Sequence, residues 1–112
     1  MKKILKLKKT ETIKSAFELL KGQFGMIICV LSDDDSLSGV ITEGDLRRAI
    51  LKGFSLDTKL ENVQNVKPTY VYESELKSKK IVKSKIDLNT MNRPLIFPIV
   101  DENKRLLSLS NI

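Results

Sequence analysis

Gly39-Val40-Ile41-Thr42-Glu43-Gly44-Asp45-Leu46-Arg47-Arg48 joins the end of an apolar strand to the start of an amphipathic helix. Thr42 supplies a hydroxyl at the junction and Asp45 a carboxylate at the third helical position, the pattern of a capping box. Leu46, Ala49 and Ile50 then fall on one helix face, and Gly53 is the natural stop. Backbone N–H groups are free at such a junction, so it can hold an anion. The same residues also suit a purely structural task, Thr42 capping the helix and Asp45 complementing its dipole.

Upstream, Met26 to Leu31 is a continuous apolar run rich in β-branched residues, as expected of a strand covered on both faces. Asp33-Asp34-Asp35-Ser36 reads as a turn into a second strand, Leu37 to Ile41, which makes a hairpin. Ile4 to Leu7 forms a short strand, and Thr12 caps a helix whose Ile13, Ala16, Phe17 and Leu20 have amphipathic spacing, with Gly22 as terminator. The order is strand, helix, strand, strand, helix.

Downstream, residues 54–65 form a mixed polar connection, and Lys67-Pro68 leads into a strand at Thr69-Tyr70-Val71-Tyr72. Ser74 is placed to cap a lysine-rich helix reaching Ile86, with Leu76, Val82 and Ile86 as its sparse apolar contacts. Leu95 to Val100 and Arg105 to Leu109 form a second hairpin across Asp101-Glu102-Asn103-Lys104. The hairpins superpose without a gap: Ile28 on Phe97, Val30 on Ile99, Leu31 on Val100, Leu37 on Leu106 and Val40 on Leu109. Gly39 then meets Ser108 and Thr42 meets Asn111, and the partner of Asp45 falls beyond Ile112. The expected fold is α+β, two β-α-β-β-α repeats at 1–62 and 63–112, the second truncated at its C-terminus.

The chain of 112 residues fits one compact domain or two fused half-size repeats. No apolar run approaches the roughly 18 to 20 residues that span a bilayer, and the N-terminus alternates apolar and basic residues unlike a signal peptide, so a cytoplasmic protein is expected. Cys29 is the sole cysteine and lies in an apolar run, as a buried inert thiol does. With no histidine, the chain lacks the most versatile acid-base group and the usual zinc ligand. Together with the lack of any nucleophile-and-base set, this disfavours catalysis and a metal centre. The net charge of +6 suits an anionic partner or a solubilising lysine surface. Lysines cluster at Lys2 to Lys9 and Lys77 to Lys85 without interleaved aromatics, which argues against nucleic acid as the partner.

The junction resembles the Gly-hydrophobic-hydrophobic-Thr/Ser-x-x-Asp signature of cystathionine-β-synthase-type (CBS) modules. The Met26 to Leu31 strand, the duplicated hairpin, Pro98-Ile99-Val100-Asp101 and the Lys67-Pro68-Thr69 lead-in extend the resemblance over nearly the whole chain. It implies a CBS domain pair, its two repeats packed sheet to sheet, that binds AMP, ADP, ATP or S-adenosylmethionine in clefts between the modules, needs no cofactor, and acts as a sensor. By this likeness Thr42 and Asp45 hold the ribose hydroxyls, for which charge-assisted hydrogen bonds are well suited. Ile28, Cys29, Phe97 and Pro98 are candidate walls for the purine, and equally candidates for ordinary core. Lys9, Thr10, Lys67 and Thr69 are candidate rim residues. Arg47 and Arg48 both suit phosphate, but neighbours on a helix diverge, so at most one faces the cleft, and Arg47 is the candidate.

In the second repeat Ser108 and Asn111 depart from the signature, which leaves one competent site. The wording of residues 41–48 looks most like modules attached to bacterial sugar-handling enzymes. These are the N-terminal pair of sugar-phosphate nucleotidyltransferases, favoured by Met1, or the C-terminal pair of arabinose-5-phosphate isomerases. Homodimerisation is expected by analogy with CBS discs, and a dimerisation module that binds no ligand is the alternative reading.

Overall fold

The computed structural model describes residues 4–23, 26–87 and 96–111. Strand β1 (Leu5–Lys8) leads to helix α1 (Ile13–Leu20), strands β2 (Ile28–Leu31) and β3 (Leu37–Ile41) and helix α2 (Glu43–Leu51). The second half repeats the order with β4 (Val71–Tyr72), α3 (Lys79–Asp87), β5 (Ile96–Val100) and β6 (Leu106–Asn111). Leu95 and the Ile86 side chain lie outside what is described.

Each half builds a three-stranded sheet, β1-β2-β3 and β4-β5-β6. In both, the first strand pairs parallel with the central one and the last pairs antiparallel. The duplication extends to irregularities: the central-strand register shifts between Val30 and Leu31 in one sheet and between Ile99 and Val100 in the other. The non-glycine residues with left-handed backbone, Asp35 (φ 67°) and Lys104 (φ 64°), occupy equivalent turn positions.

All four residues of β2 are buried, and alternation sends them to two cores. Ile28 and Val30 join Leu5, Ile13, Ala16, Ile41 and Leu46 beneath the helices of the first repeat. Cys29 and Leu31 meet Leu37 and Val100 between the sheets, flanked by Val40, Tyr70, Tyr72, Leu106 and Leu109. Strand β5 divides likewise, Phe97 and Ile99 packing with Val71 under Val82 of α3. The hairpin tips also meet: Leu37 N donates to Lys104 O at 2.8 Å, and Arg105 Nε donates to Asp34 O at 3.2 Å. The strands β2 and β5 therefore run toward the same end of the molecule.

Two local expectations need correction. The lysine-rich helix is not capped at Ser74, because residues Glu73–Lys77 form a 3₁₀ turn, and the α-helix starts at Lys79. The Glu75 carboxylate accepts from Tyr72 N at 2.9 Å and from Lys85 Nζ at 2.6 Å, which holds that turn tight, and Ser78 Oγ accepts from Ile81 N at 3.2 Å. Leu76 consequently points outward. The connection over 54–65 is also more than a polar linker. Leu56 O and Thr58 O accept from Lys14 N and Ile13 N, first-turn donors of α1 that no helical carbonyl can reach. Leu60 is fully buried in the first core. Replacing it by alanine should cost about 2–4 kcal/mol in urea unfolding, the range for a core leucine rather than a linker residue.

Candidate functional site

The β3–α2 junction is a complete capping box. Thr42 sits in extended backbone, its Oγ accepting from Asp45 N at 3.1 Å while Asp45 Oδ2 accepts from Thr42 N at 2.9 Å. The second carboxylate oxygen, Oδ1, is held at 2.6 Å by Arg48. Arg47 turns elsewhere and pairs with Glu43 at 2.8 Å. The cation that accompanies Asp45 is thus Arg48. Its guanidinium lies over Gly44, where an added Cβ would come within 3.2 Å of it. The i,i+3 spacing from Asp45 was visible in the sequence and is the signal that separates the two arginines.

Gly39 is required by close approach. A Cβ there would stand 2.6 Å from Asn65 O and 2.7 Å from Gln64 Oε1. The connection crosses β3 at this point, Val40 and Asn65 exchanging backbone hydrogen bonds of 3.1 and 2.9 Å. Gln64 Nε2 donates to Ser38 Oγ at 2.9 Å, while its Oε1 is buried with no partner among the described residues. No local pattern marks Gln64, whose contact with Ser38 joins remote segments.

Register places the remaining candidates at one end or the other. Leu5, Ile28 and Ile41 lie abreast, as do Lys8, Leu31 and Leu37, three residues or about 10 Å further on. Thr42 follows Ile41, so Thr42 and Asp45 occupy the end where β1 and β2 begin. Thr69 stands two residues before Val71, which is abreast of Ile99 in a parallel pair, so it lies toward the starting end of β5, the end that Thr42 occupies, with Lys67 preceding it. Lys9 and Thr10 follow Lys8 and lie at the opposite end, beside the hairpin tips, so the structure does not bring them to Thr42 and Asp45. Of the four purine-wall candidates, Cys29 faces the space between the sheets. Pro98, paired with Leu109 and alternating with Phe97 and Ile99, takes that face too. Ile28 and Phe97 pack beneath the helices of their own repeats.

Burial pushes the Cys29 thiol up to about 12, so it carries no thiolate near neutrality. Among the described residues no group of acidic or cysteine side chains is arranged to hold a metal ion, and no helix is long and apolar enough to cross a membrane.

Comparison with known proteins agrees with this architecture. The family model for the CBS domain matches residues 1–52. An uncharacterized protein of Helicobacter pylori (strain J99) is 39% identical over 51 residues, a match that takes in 46% of this chain and 15% of that protein. A CBS domain protein from Pyrobaculum aerophilum, solved in complex with AMP, superposes with a TM-score of 0.76 at 18% identity, over 99% of this chain and 82% of its own. A CBS domain pair/ACT domain protein from Thermotoga maritima gives 0.75 at 16% identity, over 100% and 84%. A putative signal-transduction protein with CBS domains from Burkholderia ambifaria gives 0.71 at 24% identity, over 97% and 76%. The chain has the α+β fold of a tandem CBS domain pair. The family match lies in the first repeat, and the second half repeats the fold.

Two outcomes follow at this site. Asp45→Ala should lower stability by about 1 kcal/mol through loss of the cap, whereas Asp45→Asn, which retains an acceptor, should cost less. Cys29 should resist a thiol reagent in the native protein at pH 8 and react promptly in urea, as an absorbance assay will show.

Proposed function

We propose that the chain is a regulatory module that binds an adenine nucleotide between its repeats and controls an attached bacterial sugar-phosphate nucleotidyltransferase. The observation that carries this reading is the Thr42–Asp45–Arg48 arrangement at the end of the sheets where Lys67 and Thr69 approach and where Cys29 and Pro98 face inward. A ribose diol donating to Asp45 Oδ1 takes the place of the Arg48 guanidinium. Released, Arg48 meets the phosphate, so one residue pair reads two parts of the nucleotide. Lys67 and Thr69 line the rim, while Lys9 and Thr10 serve the other end of the module. The fold shared with the Pyrobaculum aerophilum protein in complex with AMP supports the choice of ligand.

Regulation follows from linkage. A ligand that spans both repeats favours the relative orientation that fits it, and an attached domain senses that preference in proportion to the difference in affinity. Ile50, Leu51, Phe54 and Leu56 form an exposed apolar stretch at the end of α2, with Leu51 80% exposed. This stretch supports assembly as a homodimer. A nucleotide ligand supports a cytoplasmic location for the module.

Thermal-shift titration with AMP, ADP, ATP and S-adenosylmethionine tests the reading. A nucleotide present at about 100 times its Kd should stabilise the chain by about 2.7 kcal/mol, visible as a rise of several degrees that Asp45→Asn removes. No rise with any nucleotide at millimolar concentration would overturn nucleotide sensing and leave dimerisation through the α2 surface as the function.

A further inference from the structure

The duplication builds two corresponding corners between the sheets, on the hairpin-tip side of the molecule. In the first, an open cleft of about 420 Å³ has Leu31 and Leu106 as its apolar wall, is rimmed by Lys6, Lys8, Glu11 and Asp35, and borders β1 at Leu7, whose side chain packs on the opposite face. The register identifies the counterparts, because Leu7 stands beside Val30 as Val71 stands beside Ile99. Lys6 and Lys8 thus correspond to Tyr70 and Tyr72, Glu11 to Glu75, and Asp35 to Lys104.

The second corner is filled. Tyr70 and Tyr72 pack edge to face with ring centroids 5.6 Å apart. Lys85 places its ammonium 5.5 and 5.3 Å from the two ring centroids and 2.6 Å from Glu75 Oε1. The protein itself therefore seats an ammonium group on the glutamate of one corner and leaves the equivalent glutamate of the other free.

The charges of the open corner select its occupant. Lys8 is engaged by Asp35 and by the carbonyls of Ser32 and Asp33, and its ammonium holds the Asp35 carboxyl below the usual range, with a weaker pull from Lys6. Lys6 and Glu11 are exposed, and neither makes a side-chain hydrogen bond or ion pair among the described residues. A simple anion would satisfy Lys6 and be repelled by Glu11, and a simple cation would meet the reverse. A molecule carrying both charges satisfies both groups, and an apolar body covers the leucines.

We propose that the corner between β1 and β6 is a binding site for a free amino acid with an apolar side chain, its carboxylate on Lys6, its ammonium on Glu11 and its side chain against Leu31 and Leu106. This site lies at the opposite end of the sheets from Thr42 and Asp45, and it does not rest on nucleotide binding there.

Amide-resolved NMR titration of the whole chain with L-leucine and L-phenylalanine, with and without AMP, tests the proposal. Saturable shifts confined to residues 6–11, 31–35 and 106 are expected whether or not AMP binds. N-acetyl-L-leucine, which lacks the ammonium, and L-leucinamide, which lacks the carboxylate, should each bind about tenfold more weakly, the cost of one charge-assisted contact. Lys6→Tyr, which fills the corner as Tyr70 fills the other, should abolish binding. Glu11→Gln, nearly isosteric at an exposed position, should weaken it about tenfold and serves should the tyrosine variant unfold. The proposal is overturned by equal affinity for the blocked and free amino acids, by binding that survives Lys6→Tyr in a folded chain, or by no saturation up to about 20 mM.

Discussion

The structure depends on central strands that are apolar on both faces. A three-stranded sheet with helices on one side leaves its other face to water, and a repeat of this size buries too little by itself to be stable. Cys29 and Leu31 on β2, and Val100 on β5, convert that exposed face into a second core shared by the two repeats. Hydrogen bonds between the hairpin tips fix the register of one sheet on the other. The ends of the cleft, and every residue that lines them, take their places from this packing.

That constraint is why so much of the fold was legible in the sequence. A strand buried on both sides must be written as an unbroken apolar run, and Met26 to Leu31 and Ile96 to Val100 are such runs. Their gapless superposition located both turns, in which the structure then shows equivalent left-handed residues at Asp35 and Lys104. The Thr42–Asp45 cap was legible because capping is local chemistry, complete within four residues. The contacts of residues 54–65 were not, since Leu60 and Gln64 are defined by partners far along the chain. The start of α3 was misplaced because serines at 74 and 78 offer the same local signal. The choice between them is made by Glu75, which folds back to Tyr72.

Charge placement shows the same division between local and distant information. The lysine clusters lack aromatic neighbours in sequence, yet Lys85 and Lys104 both lie against Tyr70, with centroid distances of 5.5 and 5.1 Å. Cation–π contacts of this kind stabilise the second repeat. Lys6 and Lys8 occupy the equivalent strand positions in the first repeat, so a single fold presents one corner closed by aromatic rings and one open to solvent.

The central functional claim is that the Thr42–Asp45 junction binds an adenine nucleotide. Its most direct measurement is a calorimetric titration of AMP into the wild-type chain and into Arg48→Ala. The account predicts saturable binding to the wild type and a loss of about tenfold in affinity when the phosphate-seeking guanidinium is removed. AMP affinity unchanged in Arg48→Ala, or no heat of binding in the wild type at millimolar AMP, would contradict it.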